Sequence, residues 1–364
     1  MTSKPSICLV AGARPNFMKV APLLTRIREQ SSRLDAFLVH TGQHYDAAMS
    51  DVFFRDLGLP EPDVFLGVGS GSHAVQTAQI MMGFERVLLD HQPDMVLVVG
   101  DVNSTIAAGL VAAKMGIPLC HVEAGLRSGD RRMPEEINRI LTDQLSDLLF
   151  TTSLDAHDHL AREGVALDKV HFVGNLMIES LIRHQRRFDA TALLSSEGLQ
   201  AGGYALVTLH RPSNVDDPVS LKGLWAMLER LSRELPVLFP VHPRTRKMAQ
   251  AFGLTHNGSL RLVDPVGYLE FMALQRDARL VLTDSGGIQE ETTFFGVPCI
   301  TVRENTERPV TITQGSNVLA GTDPEAVYAE AQKILAGKVK KGGIPDKWDD
   351  QVSRRIVDVL EHWF

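Results

Sequence analysis

Residues 95–127 read MVLVVGDVNSTIAAGLVAAKMGIPLCHVEAGLR. The apolar run 95–99 is unbroken and ends at Gly100-Asp101. Apolar positions then recur at helical spacing over 105–115 and stop at Gly116-Ile117-Pro118. A second unbroken run, 118–122, ends at Glu123. Short continuous apolar runs read as strands covered on both faces, and strand, helix, strand in this order is a βαβ unit of a parallel sheet.

The same rhythm extends in both directions. Upstream, 7–11 and 36–40 read as strands, with helices over 18–30 and 74–89. Downstream come a helix over 135–145, strands at 148–151 and 170–173, and a helix between them running to Ala161. The pattern then restarts. Strands fall at 204–208, 237–241, 261–263, 280–283 and 300–302, with helices over 220–235, 268–275 and 288–295. The expected fold class is therefore α/β, with two Rossmann-like doubly wound domains and a cleft between them. The expected boundaries are 1–173 and 174–349, with a terminal helix in 350–364 packing back on the first domain. Strand carboxyl ends line the ligand crevice of such sheets, so the polar residues that follow strands are the ones to weigh.

Composition narrows the function. A chain of 364 residues suits two domains, and 44% hydrophobic with 22% charged residues is a globular balance. A net charge of −7 argues against nucleic acid as the main partner. The three cysteines, Cys8, Cys120 and Cys299, lie in apolar runs and read as reduced core thiols. No apolar stretch reaches membrane-spanning length, and residues 7–11 are too short for a signal peptide core, so a cytoplasmic protein with no membrane partner is expected. No Walker-type phosphate loop, Gly-x-Gly-x-x-Gly turn or metal-spaced His/Cys cluster is present, so no cofactor and no metal are expected.

The strand ends carry a recurring chemistry. The first strand runs into Gly12-Ala13-Arg14-Pro15 and then Lys19, either an anion site at a helix N-terminus or two solvated cations. Asp101 taken alone reads as a helix cap. Glu123, emerging directly from a buried strand, weakens that reading, while His121 before it is compatible with a satisfied core histidine. Glu135 and Glu136 open a helix after Pro134 and suit its dipole. Asp101, Glu123 and Glu135 at successive βα junctions exceed what capping needs and suit general acid/base work. In the second half, Leu209-His210-Arg211 places a proton carrier beside a phosphate ligand, or is a plain loop, and Val241-His242 repeats the theme less specifically. Ser285-Gly286-Gly287 after Asp284 opens a helix as a phosphate cradle, with Glu291 one turn on to accept from ribose hydroxyls. Glu290 reads as a solvated helix acid, and Tyr268 with Phe271 as core packing or, for one of them, a face for a base.

In this combination the sequence resembles the non-hydrolysing UDP-N-acetylglucosamine 2-epimerases. The carrying motifs are Gly12-Ala13-Arg14-Pro15, Thr41-Gly42-Gln43-His44, Gly100-Asp101, His121 to Arg127, Pro134 to Arg139, Leu209-His210-Arg211 and Thr283 to Glu291. The resemblance implies a GT-B fold, a homodimer, no redox cofactor and a UDP-sugar substrate. It implies that C2 loses its proton as UDP leaves C1, and that UDP adds back to a 2-acetamidoglucal while C2 is protonated from the other face. It implies catalytic roles for Asp101, Glu123, Glu135 and His210, and UDP binding by Arg14, Lys19, Arg211, Phe271, Ser285, Gly286 and Glu291; His242 and Gly287, from the strand-end reading, are expected to bind substrate beside them.

Two departures from that family stand out. Regulated bacterial members use a Gln where Asp46 stands and an arginine replaced here within the 67–71 loop, so their allosteric activation is not expected. The Tyr45-Asp46 variant also occurs in relatives acting on UDP-2,3-diacetamido-2,3-dideoxy-glucuronate, the alternative substrate. A GT-B glycosyltransferase is the rival activity, and it would need fewer acids in the first domain.

Overall fold

Among the described residues, seven strand segments assemble into one parallel sheet: β1 (Ser6–Ala11), β2 (Asp35–His40), β3 (Val64–Phe65), β4 (Met95–Val99), β5 (Leu119–Val122), β6 (Leu148–Thr151) and β7 (Val170–Phe172). The computed structural model describes residues 4–43, 58, 61–256 and 258–364. The strand order is β3-β2-β1-β4-β5-β6-β7, so the chain winds outward from β1, returns to β4 beside it, and winds outward again. Helices cover both faces, which is why β4 is buried at all five positions and reads as an unbroken apolar run. One core gathers Cys8, Val10, Val39, Phe84, Val96, Val98, Ala108 and Leu119.

The second sheet has the order β10-β9-β8-β11-β12-β13 and repeats that winding. Its strands are β8 (Ala205–Thr208), β9 (Val237–Pro240), β10 (Leu260–Val263), β11 (Leu280–Thr283), β12 (Cys299–Thr301) and β13 (Asn317–Leu319). Its core joins Val207, Leu224, Trp225, Leu228, Phe239, Leu282, Ile300 and Val327. In each sheet the strand order reverses at one place, between β1 and β4 and between β8 and β11. Ligands of open α/β sheets bind at such switch points.

The sequence reading contains neither β3 nor β13, edge strands of two and three residues that are too short to show a period. It also misses the helices Leu176–His184, Pro243–Ala251 and Pro324–Leu335. The expected boundaries shift too. The chain divides into Met1–Arg183 with Asp346–Phe364, and His184–Pro345, rather than at 173/174 and 349/350. The cause is the Leu176–His184 helix. Its Glu179, fully buried, accepts from the Ser353 backbone N–H at 2.6 Å and the Ser353 hydroxyl at 2.7 Å, and Ser180 Oγ donates to the Met18 carbonyl. The terminal helix Val352–Trp363 buries Val352, Ile356 and Leu360 in the first unit, and Arg26 Nε reaches Ser353 Oγ at 2.9 Å. Trp348 joins them, donating to the Thr152 carbonyl at 3.0 Å.

Candidate active site

In the first unit, β1 ends where Asn16 Oδ1 accepts from the Gly12 and Ala13 N–H groups at 3.1 and 2.9 Å. Its amide donates to the Val99 carbonyl at 3.3 Å and so ties β1 to β4. Position 12 must be glycine, since a Cβ there would sit 2.0 Å from Ser104 Oγ. Arg14 opens the following helix, and its side chain lies outside the described residues, as does Asp46.

The expected acids gather around the next strand ends. Glu123 follows β5 in the left-handed region at φ 71°, an unfavourable conformation for a residue with a Cβ. The Glu123 and Ala124 N–H groups both bond the Phe150 carbonyl, at 3.0 and 3.1 Å, which holds the turn. The Glu123 carboxylate is 4% exposed and ion-paired with Lys19. Lys19 is thus placed on an acid rather than at an open anion site. The Asp101 carboxylate pairs with Arg139, which also holds Glu136 at 2.9 Å, and Asn138 donates to the Asp101 carbonyl at 2.8 Å.

The two neighbouring glutamates divide their work. Glu136 is buried and accepts from Ser128 N–H, Ser128 Oγ and Gly129 N–H, so it builds the loop. Glu135 is half-buried and faces a cavity of about 250 Å³ together with Asp101, Gln43, His73, Gln76, Asn103 and Asn138. His121 is a satisfied core histidine: Nδ1 lies 2.6 Å from Asp143 and Nε2 lies 2.8 Å from the Gly100 carbonyl. Burial opposes the charge on Asp143, but His121 and Arg127 outweigh it and hold that carboxyl below its ordinary range.

The second unit assembles the nucleotide candidates around the β8/β11 switch. Asp284, fully buried, accepts from the backbone N–H of His210 at 3.0 Å and of Arg211 at 2.9 Å, and from the Asn214 amide at 3.1 Å. His210 Nδ1 lies 3.0 Å from its Oδ1. Burial opposes the Asp284 charge, but His210, the Arg211 N–H and Asn214 hold its carboxyl below the ordinary range. A cavity of about 220 Å³ is lined by His210, His242, Phe271, Ser285 and Ile288, with Pro265 and Val266 beside Phe271. His242 Nδ1 accepts from the Arg244 N–H at 3.2 Å, leaving Nε2 as a donor. Burial first, then His210 and Arg244, push the His242 imidazole below its ordinary range, so it is neutral at pH 7.

Ser285 stands at the N-cap position of the helix Gly286–Phe295 without a side-chain capping hydrogen bond. A Cβ at Gly286 would lie 2.6 Å from both Arg308 Nη1 and Glu307 Oε1, whereas one at Gly287 would meet nothing within 4 Å. Glu290 corrects the sequence reading: it is 1% exposed and paired with Arg308 Nε at 2.8 Å, because Arg308 arrives from the loop after β12. Arg308 also holds Glu307 at 2.6 Å, and Arg211 Nη2 lies 3.7 Å from that same carboxylate. Glu291 accepts from Gln275 at 2.7 Å, and burial pushes its carboxyl up to about 7.

Sequence reasoning gave no role to Asp284, Glu307, Arg308 or the amide wall of Gln43, Gln76, Asn103 and Asn138. The rule of reading polar residues after strands reaches Glu307 and Arg308 if it is carried to the run that follows β12.

Comparison with known proteins completes the site's description. The family model described as UDP-N-acetylglucosamine 2-epimerase matches residues 26–361. A UDP-N-acetylglucosamine 2-epimerase of Methanococcus maripaludis is 43% identical over 338 residues, 90% of this chain and 91% of the relative. A UDP-2,3-diacetamido-2,3-dideoxy-D-glucuronate 2-epimerase of Pseudomonas aeruginosa is 43% identical over 357 residues, 97% of this chain and 99% of the relative. The crystal structure of Methanocaldococcus jannaschii UDP-GlcNAc 2-epimerase in complex with UDP-GlcNAc and UDP is similar at a TM-score of 0.88 and 38% identity, covering 98% of this chain and 99% of that one.

Proposed function

The chain belongs to the UDP-N-acetylglucosamine 2-epimerase family, and from that premise we propose that it interconverts UDP-GlcNAc and UDP-ManNAc. The observation that carries the choice of sugar is the cavity beside Asp101 and Glu135. Its described lining holds these two carboxylates, neutral amides, one histidine and no lysine or arginine. Asp101 already occupies Arg139, so a uronate would bring a further negative charge to a described lining that offers it no lysine or arginine, which is unfavourable at such range.

The chemistry proceeds by elimination and re-addition. One carboxylate of the set Asp101, Glu123 and Glu135 removes the C2 proton. The C2–H electron pair forms the C1=C2 bond, and the C1–O pair leaves with UDP. Re-addition returns UDP to C1 while an acid of the set protonates C2 on the opposite face. Lys19 is ion-paired with Glu123 and Arg139 with Asp101, which fixes where the two carboxylates stand. In the second unit, backbone N–H groups at Ser285-Gly286-Gly287, with Arg211 and His242, hold the pyrophosphate, Phe271 meets the base, and Glu291 meets the ribose.

The second reading is the same reaction on UDP-2,3-diacetamido-2,3-dideoxy-glucuronate, favoured by the Pseudomonas aeruginosa relative. Both sugars are to be incubated with the protein in D2O and followed at C2 by NMR. Deuterium at C2 with a manno product from UDP-GlcNAc is the expected result. Exchange confined to the uronate transfers the assignment to it, and exchange in neither removes the epimerase reading.

Homodimerisation is part of the proposal. Val75, Met82 and Leu89, 51%, 64% and 59% exposed, lie seven residues apart along the helix His73–His91. Such a stripe is self-complementary about a two-fold axis and suits a second copy of the chain. No helix of the described residues is long and apolar enough to cross a membrane. Three buried, unbridged cysteines support our inference of a reducing compartment such as the cytoplasm.

A further inference from the structure

We propose that Asp284 is the positioning residue of His210: it fixes which imidazole nitrogen carries the permanent proton and aims the other at the leaving diphosphate. The inference rests on the UDP-sugar reading above.

The geometry begins with the strands. β8 and β11 are neighbours in register, Thr208 opposite Thr283, and their hydroxyls touch at 2.8 Å. Their next residues therefore emerge side by side at the switch point. Asp284 is the one buried carboxylate there, and it gathers the whole His210 turn. It takes the His210 and Arg211 N–H groups and the Asn214 amide, and Arg211 Nε donates to its carbonyl at 2.9 Å. Asn214 also donates to the Val302 carbonyl at 3.0 Å, which locks the loop to β12. A buried anion with this many donors is held in one place.

An ionised carboxylate only accepts hydrogen bonds, so the His210 nitrogen 3.0 Å from Oδ1 must carry hydrogen. That nitrogen is Nδ1. Proton exchange is then confined to Nε2, on a side chain 43% exposed at the cavity lined by Ser285 and His242. The charged and titratable groups facing His210 are Asp284, Arg211 and His242, whose ring centre lies 6.2 Å away, with Arg244 behind His242 and paired to Asp216. Asp284 is the anion among them that contacts the imidazole. It holds the ring so that Nε2, the nitrogen left to exchange a proton, faces the phosphate oxygen that takes the C1–O electron pair. With the opposite tautomer, Nε2 would hold the permanent hydrogen, Nδ1 would turn a lone pair toward the Asp284 carboxylate, and the ring would lose the contact that aims it.

The test is direct. Protein labelled with ¹⁵N-histidine is examined by long-range ¹H–¹⁵N NMR, with His210→Gln identifying the signals. The wild type is expected to hold hydrogen on Nδ1, and Asp284→Asn, whose amide N–H faces that atom, is expected to shift the neutral ring to the Nε2–H tautomer. An Nε2–H tautomer in the wild type, or an unchanged one in the variant, overturns the proposal. In epimerisation assays Asp284→Asn should lose about 10²-fold or more in kcat, with KM changed by less than about threefold. Asp284→Glu should recover part of the rate. Combining Asp284→Asn with His210→Gln should be no slower than His210→Gln alone. Multiplicative losses would mean a structural role and overturn it. Should Asp284→Asn not fold, the wild-type tautomer alone decides. Wild-type protein inactive on both sugars would remove the epimerase reading, while the NMR result would still report on Asp284.

Discussion

Glu123 and Glu135 are assigned to chemistry at the sugar, and neither lies in the unit that carries the nucleotide cradle. Glu123→Gln and Glu135→Gln should therefore each lower kcat by about 10²-fold or more. UDP affinity by calorimetry should stay within about threefold, and near-normal turnover in either variant would remove that residue from the mechanism. Glu291 makes a different prediction. Burial raises its carboxyl to about 7 in the folded state, above its unfolded value, so folding takes up a proton between the two. Its contribution to stability is complete below the unfolded value near 4.5 and is lost as pH rises through about 7. The loss is on the order of 3 kcal/mol. Urea melts of wild type and Glu291→Gln at pH 5 and pH 8 should diverge, with the variant gaining relative stability at the higher pH. Parallel curves would place the Glu291 titration elsewhere. At this scale the sequence shows which polar residues stand within two positions of a strand end, as Asp101, Glu123 and His210 do. It was not readable where a partner arrives from far along the chain. Lys19 meets Glu123 across 104 residues, and the Arg308 that buries Glu290 comes from a loop beyond the next strand.

On the proposed reading, the element on which nucleotide binding turns is the N-terminus of the helix Gly286–Phe295. Two adjacent glycines there face different surroundings, and the difference is testable. A Cβ at Gly286 would press on the ends of Arg308 and Glu307, both already engaged in ion pairs. Gly286→Ala should displace that pair and the N–H groups beside it, weakening UDP about tenfold or more by calorimetry. Gly287→Ala meets open space and should leave the melting temperature unchanged or raised, since Ala in a helix exceeds Gly by roughly 0.5–1 kcal/mol. Equal UDP affinities for Gly286→Ala and wild type would separate this helix start from the nucleotide. The motif Ser285-Gly286-Gly287 marked this element in the sequence through its turn chemistry. The ion pairs that shape its flank left no such mark, because charges at Arg303, Glu307 and Arg308 read as a solvated run until burial is known. They are 4%, 2% and, for the Arg308 side chain, 11% exposed.

At the scale of the molecule, two βαβ series and their winding were legible because parallel strands buried on both faces give continuous apolar runs. The division between the units was misplaced by ten residues at its first crossing, since it depends on Glu179 reaching Ser353, 174 residues away. The surface that would join two copies was hidden for a related reason. The helix His73–His91 carries apolar residues on both its faces. Ile80, Phe84 and Leu88 face the core, while Val75, Met82 and Leu89 face outward, so a single amphipathic period is blurred. Only the fold separates the two sets. If the outer stripe joins two copies, a charge at its centre must oppose itself across the two-fold axis. Met82→Lys should then shift sedimentation from dimer to monomer at micromolar concentration. Its melting curve at low concentration should match that of diluted wild type, because position 82 is 64% exposed and takes no part in the core. A wild type that sediments as a monomer, or a Met82→Lys variant that stays dimeric, would move the interface off this helix.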